Sequence, residues 1–182
     1  MTVRRLVLDG ILLCLLIISS WISFPLPMTE IVFTLQVFAI FIIIMITPLK
    51  DSLLIIGIYI FMGLIGIPVF ATGGGLGYII RPSFGFILGF LWMPIPLKLS
   101  RLLPVRSQFI QSMFGGLMAL LLLYSFGLGY FYIIRGVYEG NSYQFMKVLQ
   151  LTVLPFLPLD ILKCVLSSII TGQLKKSCQR YQ

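Results

Sequence analysis

Long apolar runs follow one another along almost the whole chain, with short polar or proline-containing breaks between them. A helix needs about 20 predominantly apolar residues to cross a bilayer, although shorter spans occur inside a protected bundle. By this criterion the candidate transmembrane segments are approximately Leu6 to Phe24, Ile31 to Pro48, Ser52 to Phe70, Ser83 to Leu97, Phe109 to Ile134 and Leu149 to Leu174. We therefore predict an all-α integral membrane protein with six transmembrane helices, formed by residues 1–182 as a single domain.

The composition agrees with a protein built for lipid. Hydrophobic residues make up 59% of the 182 residues and charged residues 10%, whereas a soluble domain has about 25% charged residues. Histidine is absent and the cysteines, Cys14, Cys164 and Cys178, are far apart, so we expect neither a metal site, a disulfide framework nor a cofactor. The net charge of +8 does not indicate nucleic-acid binding, because the basic residues lie between apolar segments and form no single stripe.

The distribution of basic residues predicts the orientation in the membrane. Six crossings place both termini on one side, and nine basic residues fall there: Arg4, Arg5, Lys50, Lys98, Arg101, Arg106, Lys175, Lys176 and Arg180. Three fall on the opposite side: Arg81, Arg135 and Lys147. Cytoplasmic loops carry an excess of Lys and Arg, so we predict cytoplasmic termini and an external turn after the third segment.

Asp160 and Lys163 lie three residues apart inside the last apolar segment. An ionised side chain near the bilayer centre costs about 2.5 to 3.5 kcal/mol on insertion scales, so such residues usually face the bundle interior, a partner or a polar ligand. Residues three apart on a helix share a face, so both side chains point the same way. The pair is therefore a candidate binding site. The alternative is a structural or assembly protein in which the two charges merely neutralise each other.

A glycine-rich turn follows the third segment and contains Gly73, Gly74, Gly75 and Gly77. Glycines allow positive φ angles and close backbone approach, which can direct successive N–H groups toward the oxygens of a ligand. The alternative is a flexible external loop. Arg81, just beyond the turn, is either a ligand-binding cation or a solvated side chain.

Three stretches carry a resemblance to a known family: Phe33-Thr-Leu-Gln36, Gly63-Leu-Ile-Gly-Ile-Pro-Val-Phe70 with the glycine-rich turn, and Leu157-Pro-Leu-Asp160-Ile-Leu-Lys163. In this order and spacing the chain resembles the biotin-specific S components of energy-coupling factor (ECF) transporters, the BioY family. The resemblance implies a multi-pass protein of the bacterial cell membrane that captures biotin outside. It also implies an EcfT-type coupling subunit and two EcfA-type cytoplasmic ATPases as partners. We expect no catalysis by the chain itself, which has no glycine loop followed by Lys and Ser or Thr.

The resemblance also implies a binding site. Asp160 and Lys163 would line the pocket with the glycine turn, while Thr34 and Gln36 would contribute from the second helix. Aromatic candidates for the walls are Phe70, Tyr78, Phe84, Phe86 and Tyr143; plain packing or lipid contact is the alternative for each. A small-residue pair in the first helix, Gly10 and Cys14, would form the face that docks on the coupling subunit; packing within the bundle is the alternative.

Two departures from the family pattern affect the predicted substrate. The family commonly continues its turn as Gly-Pro-Thr-Gly-Gly-Tyr, where this chain has Arg81-Pro-Ser-Phe-Gly-Phe86, and Leu159 stands where a glycine often precedes the aspartate. Phe86 consequently lacks a hydroxyl for hydrogen bonding. Lipoate, another small carboxylic acid, would suit an apolar pocket with a cation. Asp160 favours biotin because a carboxylate can accept from the ureido N–H groups.

Overall fold

The computed structural model describes residues 3–25, 29, 31–138 and 144–180. Its helices are α1 (Val3–Trp21), α2 (Gln36–Ile46), α3 (Leu49–Leu64), α4 (Phe84–Gly89), α5 (Pro94–Leu99), α6 (Gln108–Tyr138), α7 (Phe145–Thr152) and α8 (Leu157–Arg180). Single three-ten turns occur at Leu76–Tyr78 and Ser100–Leu102. The fold is thus mostly helical, as predicted.

An antiparallel hairpin, which the all-α prediction missed, follows α1. Its strands are β1 (Ser23–Pro25) and β2 (Val32–Thr34), with Phe24 opposite Phe33. The two rings stack with their centroids 4.7 Å apart. The second predicted segment, Ile31 to Pro48, is therefore part strand and part helix.

Helix α2 forms the centre of the molecule. Its sequence is apolar on every side after Gln36, and nine of its eleven residues are buried. It packs chiefly against α8 and α1. A helix that is apolar all round is expected in such a position, because no face is suited to water. Eleven residues span only about 16 Å, which is well short of the hydrocarbon thickness of a bilayer.

Two basic side chains satisfy the carboxyl end of α2. The Lys98 ammonium donates to the carbonyl oxygens of Ile44, at 2.5 Å, and Thr47, and the Arg101 guanidinium donates to that of Met45 at 2.7 Å. The last carbonyl groups of a helix have no partner within it, and cations at this end also interact favourably with the helix dipole. Two residues that were counted only as topological signals therefore also connect α2 to α5 and to the three-ten turn that follows it.

Prolines interrupt the fourth and sixth predicted segments. Pro94 and Pro96 have no N–H to donate to a helical hydrogen bond. Just before them, Leu91 and Trp92 donate to carbonyl groups three residues back instead of four. The helix is therefore interrupted between α4 and α5. Pro155 lies in the turn between α7 and α8, and the two helices are bent by 45°. Asp160 consequently lies in the first turn of α8 and not in the middle of a continuous helix.

Membrane-spanning capacity varies among the helices of the described residues. Gln108–Gly136 in α6 is long and apolar enough to cross a bilayer, and α7 with α8 passes the same test as one bent span. The first helix carries Arg4, Arg5 and Asp9 within 19 residues. The number of crossings therefore stays a prediction.

Candidate functional site

A cavity of about 260 Å³ opens between the hairpin, the turn after α3 and helices α2, α4, α6, α7 and α8. It brings together six of the ten residues predicted to bind substrate: Thr34, Gln36, Arg81, Phe86, Asp160 and Lys163. Apolar walls with a few converging polar groups are typical of small-molecule sites.

The inner end of the cavity holds a buried charged cluster. Lys163 Nζ lies 2.8 Å from Asp160 Oδ1, and the two residues are 6% and 4% exposed. The Tyr124 hydroxyl donates to Asp160 Oδ2 at 2.6 Å. Lys163 also donates to the backbone oxygen of Thr34 at 2.8 Å, and its ammonium lies 4.1 Å from the centroid of the Phe33 ring. Residues from β2, α6 and α8 thus converge on one ion pair.

This cluster keeps hydrogen-bonding capacity. A carboxylate offers about four acceptor positions and an ammonium three N–H donors, and each group uses two of them in these contacts. Asp160 lies in the first turn of α8, where the partial positive charge of the helix amino end attracts a carboxylate. The pair is therefore neutral overall and can still accept and donate bonds to a ligand in the cavity.

Thr34 and Gln36 lie where the hairpin joins α2, so Thr34 belongs to β2 and not, as predicted, to the second helix. The Thr34 hydroxyl donates to Gln36 Oε1 at 3.0 Å, and Gln36 Nε2 donates to the Tyr59 hydroxyl. Tyr59 in turn donates to the carbonyl oxygen of Val69 at 3.0 Å. Thr34 and Gln36 line the cavity, and Tyr59 connects them to the turn after α3.

The glycine-rich turn borders the cavity, although its glycines do not line it. Gly73 and Gly75 adopt φ angles of 113° and 104°, which other residues rarely tolerate. The Gly73 N–H donates to the carbonyl of Phe70, and that of Gly75 donates to the carbonyl of Gly63 at 2.7 Å. Both N–H groups are therefore bonded within the protein, and neither is directed at a ligand as the glycine-rich sequence would have allowed. The residues of this described turn that line the cavity include Ala71, Thr72, Tyr78 and Arg81. None of the four predicted glycines, Gly74 and Gly77 included, belongs to the lining.

Arg81 is held by the same turn. Its Nη1 donates to Thr72 Oγ1 at 2.5 Å, and its guanidinium carbon lies 4.9 Å from the centroid of the Tyr78 ring. The Thr72 hydroxyl donates to the Tyr78 hydroxyl at 3.0 Å. Arg81 is exposed and lines the cavity, so its loop folds toward the site.

The predicted aromatic walls divide into two groups. Tyr78 and Phe86 line the cavity. The Phe86 ring has room because residue 127 of α6 is a glycine; a Cβ at Gly127 would lie only 2.4 Å from that ring. Phe70 and Phe84 are buried in the adjacent core. Tyr143 lies outside the described residues.

Two polar lining residues of α6 were missed by the sequence analysis. Tyr124 carries no local motif, and its role depends on contact with Asp160, 36 residues away. Arg135 was used only as a topological signal, but it also lines the cavity. Its position in the last turn of an apolar helix was a usable signal for the cavity's outer end.

The predicted docking pair lies on an open face of α1. Gly10 and Cys14 are both exposed, and a Cβ at Gly10 would meet no atom within 4 Å. Among the described residues, the pair is therefore not engaged in packing within the bundle.

Comparisons with known proteins agree with one another. The model of the BioY family matches residues 1–180. A protein of Thermotoga maritima named biotin transporter BioY is 30% identical over 176 residues, covering 95% of this chain and 96% of the relative. A probable biotin transporter BioY of Pyrococcus horikoshii is 33% identical over 152 residues, covering 83% of this chain and 82% of the relative. A solved S-component for biotin from an ECF-type ABC transporter has a similar fold, with a TM-score of 0.81, 20% identity, and coverage of 97% of this chain and 95% of the other. The chain belongs to the BioY family.

Proposed function

We propose that this protein is the substrate-binding S component of an ECF-type transporter, and that it captures biotin outside the cell. The family match and the names of the relatives support this function. The observation that carries it is the buried cluster of Asp160, Lys163 and Tyr124 at the end of an otherwise largely apolar cavity. Such a site suits a ligand with a polar ring, an apolar body and an acidic tail.

The ureido group and the fused rings of biotin both have counterparts in this cavity. The unused acceptor positions of Asp160 can take the ureido N–H groups, and the remaining N–H of Lys163 can donate to the ureido oxygen. Phe86, Phe90 and Phe156 line the cavity and provide apolar surface for the fused rings.

Lipoate is the competing substrate, because it also joins an apolar ring to a carboxylate tail. It has no N–H donors to offer Asp160, and a site built for a hydrogen bond discriminates strongly against a ligand that lacks the partner. Isothermal titration of the purified protein with both acids tests the proposal, and tighter binding of biotin is the expected result. Preference for lipoate would keep the transporter class and reject the substrate.

We also propose that residues 1–182 form one multi-pass domain with six crossings and cytoplasmic termini in the bacterial plasma membrane. The excess of basic residues on the terminus side supports this orientation. A membrane-impermeant thiol reagent should label Cys178 only from the cytoplasmic side. Labelling of Cys178 in intact cells would reverse the orientation and move the glycine turn to the inside.

The partners would be a transmembrane coupling subunit of the EcfT type and two cytoplasmic ATPases of the EcfA type. The open face at Gly10 and Cys14 supports docking of another helix, because small residues let helices approach closely in lipid. Gly10→Leu or Cys14→Trp should abolish co-purification with the coupling subunit and leave biotin binding intact. Gly129→Leu is the matched control, since Gly129 is exposed on α6 and has equally open space. Loss of biotin binding in the α1 variants would show that this face is internal.

A further inference from the structure

A row of hydrogen bonds runs from the cavity lining into the core. Gln36 lines the cavity, and its Nε2 donates to the hydroxyl of Tyr59, a fully buried residue of α3 that does not belong to the lining. The Tyr59 hydroxyl donates to the carbonyl oxygen of Val69 at 3.0 Å. On the cavity side, the Thr34 hydroxyl donates to Gln36 Oε1 at 3.0 Å. Tyr59 therefore contacts a lining side chain from behind the wall.

The Val69 carbonyl sets the direction of every bond in this row. A backbone carbonyl oxygen can only accept, so the Tyr59 hydroxyl must donate its single hydrogen to Val69. The Tyr59 oxygen is then left as an acceptor, and only the NH2 group of the Gln36 amide can donate to it. The carbonyl oxygen of that amide must therefore face the other way, toward the Thr34 hydroxyl.

This orientation presents an acceptor at the cavity wall. An amide carbonyl oxygen has two acceptor positions, and among the described residues Thr34 uses one of those on Gln36. The backbone oxygen of Thr34 also accepts from Lys163 at 2.8 Å, so Gln36 Oε1 and the ion pair of Lys163 and Asp160 have Thr34 as a common neighbour. The inner end of the cavity thus offers a neutral acceptor, Gln36, beside a charged one, Asp160.

We propose that Tyr59 is a positioning residue that holds the Gln36 amide with its carbonyl oxygen toward the ligand. Gln36 then accepts one ureido N–H of biotin and Asp160 accepts the other, so the site selects ring N–H donors at two points. This proposal rests on the proposed function and deepens it. A fixed acceptor discriminates against a ligand that presents an acceptor in return, because no proton then lies between the two oxygens.

The test compares biotin with its two ring carbamates, in each of which an oxygen replaces one ureido N–H. Titration calorimetry gives the affinity of each ligand for the purified protein. Wild-type protein should bind each carbamate at least about tenfold more weakly than biotin, because in each one a ring oxygen meets an acceptor of the site. Equal affinity of wild-type protein for biotin and either carbamate would overturn the proposal.

Tyr59→Phe removes the hydroxyl and leaves the Gln36 amide free to turn over, so that its NH2 group can donate to a ring oxygen. We expect this variant to bind biotin at least about fivefold more weakly. Its preference for biotin over one carbamate, the one whose oxygen faces Gln36, should fall at least about tenfold. The preference over the other carbamate, whose oxygen faces Asp160, should stay as in wild type. Equal weakening of all three ligands would show that the hydroxyl only stabilises the core, and would overturn the proposal.

Ser20→Ala is the matched control. The buried Ser20 hydroxyl donates to the same Val69 carbonyl at 2.5 Å, and Ser20 does not belong to the cavity lining. Its loss weakens the same anchor but leaves Tyr59 to hold the Gln36 amide. Both preferences for biotin should therefore match those of wild type. A fall in either preference as large as in Tyr59→Phe would assign the effect to the turn after α3 and contradict the role of Tyr59.

A double-mutant cycle gives a second result that needs no analogue. Because Tyr59 acts through Gln36, Tyr59→Phe should weaken biotin in otherwise wild-type protein but change its affinity by less than about twofold in the Gln36→Ala background. Equal losses in the two backgrounds would show that Tyr59 acts independently of Gln36. Failure of the proposed function looks different, because wild-type protein would then bind neither biotin nor either carbamate.

Discussion

The two ends of the cavity are built in different ways. At the inner end, Lys163 reaches Thr34 across 129 residues of sequence and Asp160 reaches Tyr124 across 36. At the outer end, Thr72, Tyr78 and Arg81 contact one another within ten residues of chain. The inner cluster exists only when the helices have packed, whereas the turn holds its own side chains in place.

This difference separates two kinds of mutational effect. Inner residues are buried and charged, so their substitution changes both the stability of the fold and the affinity of the site. At the outer end Thr72 and Arg81 are exposed and locally bonded, so their substitution should change affinity with little loss of stability. Stability and binding measured together on the same variants test the comparison.

The largest effect is expected for the ion pair. Asp160→Asn or Lys163→Met leaves one buried charge without its partner, which costs about 3 to 5 kcal/mol in folded proteins. Both single variants should therefore unfold at a markedly lower temperature in detergent and lose biotin binding in titration calorimetry.

The double variant Asp160→Asn/Lys163→Met separates the two roles of the pair. It removes both charges, so thermal stability should largely recover. Binding should remain lost, because the acceptor and donor for the ureido ring are gone. Recovery of binding together with stability would show that the pair is purely structural and would remove Asp160 and Lys163 from the binding site.

Sequence reasoning located this ion pair because a charge inside an apolar segment is costly and therefore conspicuous. The contact between Asp160 and Lys163 follows from their spacing on one helix. Tyr124 could not be located in this way, since a tyrosine in an apolar helix has no local signature. Its bond to Asp160 arises from the packing of α6 against α8, which no window of sequence contains.

The helical character of the fold was predictable from the sequence, whereas the number and continuity of the helices were not. Pro94 and Pro155 were present as breaking signals, but the apolar pattern runs through both and favours unbroken segments. The hairpin was missed because β1 and β2 have three residues each, and apolar runs this short do not distinguish strand from helix. The buried position of α2 was implicit in its uniformly apolar sequence.

An intermediate effect is expected for Tyr124→Phe, which removes only the hydroxyl that donates to Asp160 Oδ2. A hydrogen bond to a charged group contributes about 1.5 to 3 kcal/mol, so biotin affinity should fall roughly tenfold or more if this bond positions the carboxylate. Tyr130→Phe is the matched control on the same helix, because its hydroxyl donates to the carbonyl of Ile79 outside the cavity lining. Equal affinities of the two variants would remove Tyr124 from the site.

The smallest effect should come from the outer turn, where Thr72→Val removes the hydroxyl that joins Arg81 to Tyr78. The neutral bond to Tyr78 is partly buried and contributes about 0.5 to 1.5 kcal/mol, and the bond from Arg81 is exposed and screened by solvent, so we expect a loss of affinity of only a few-fold. The loss should appear as faster biotin release in stopped-flow experiments, because a loosened turn no longer holds Arg81 over the cavity. Thr72→Ser keeps the hydroxyl and should behave as wild type. A large fall in melting temperature for Thr72→Val would contradict the comparison, since it would show that the turn depends on the global fold as strongly as the inner cluster does.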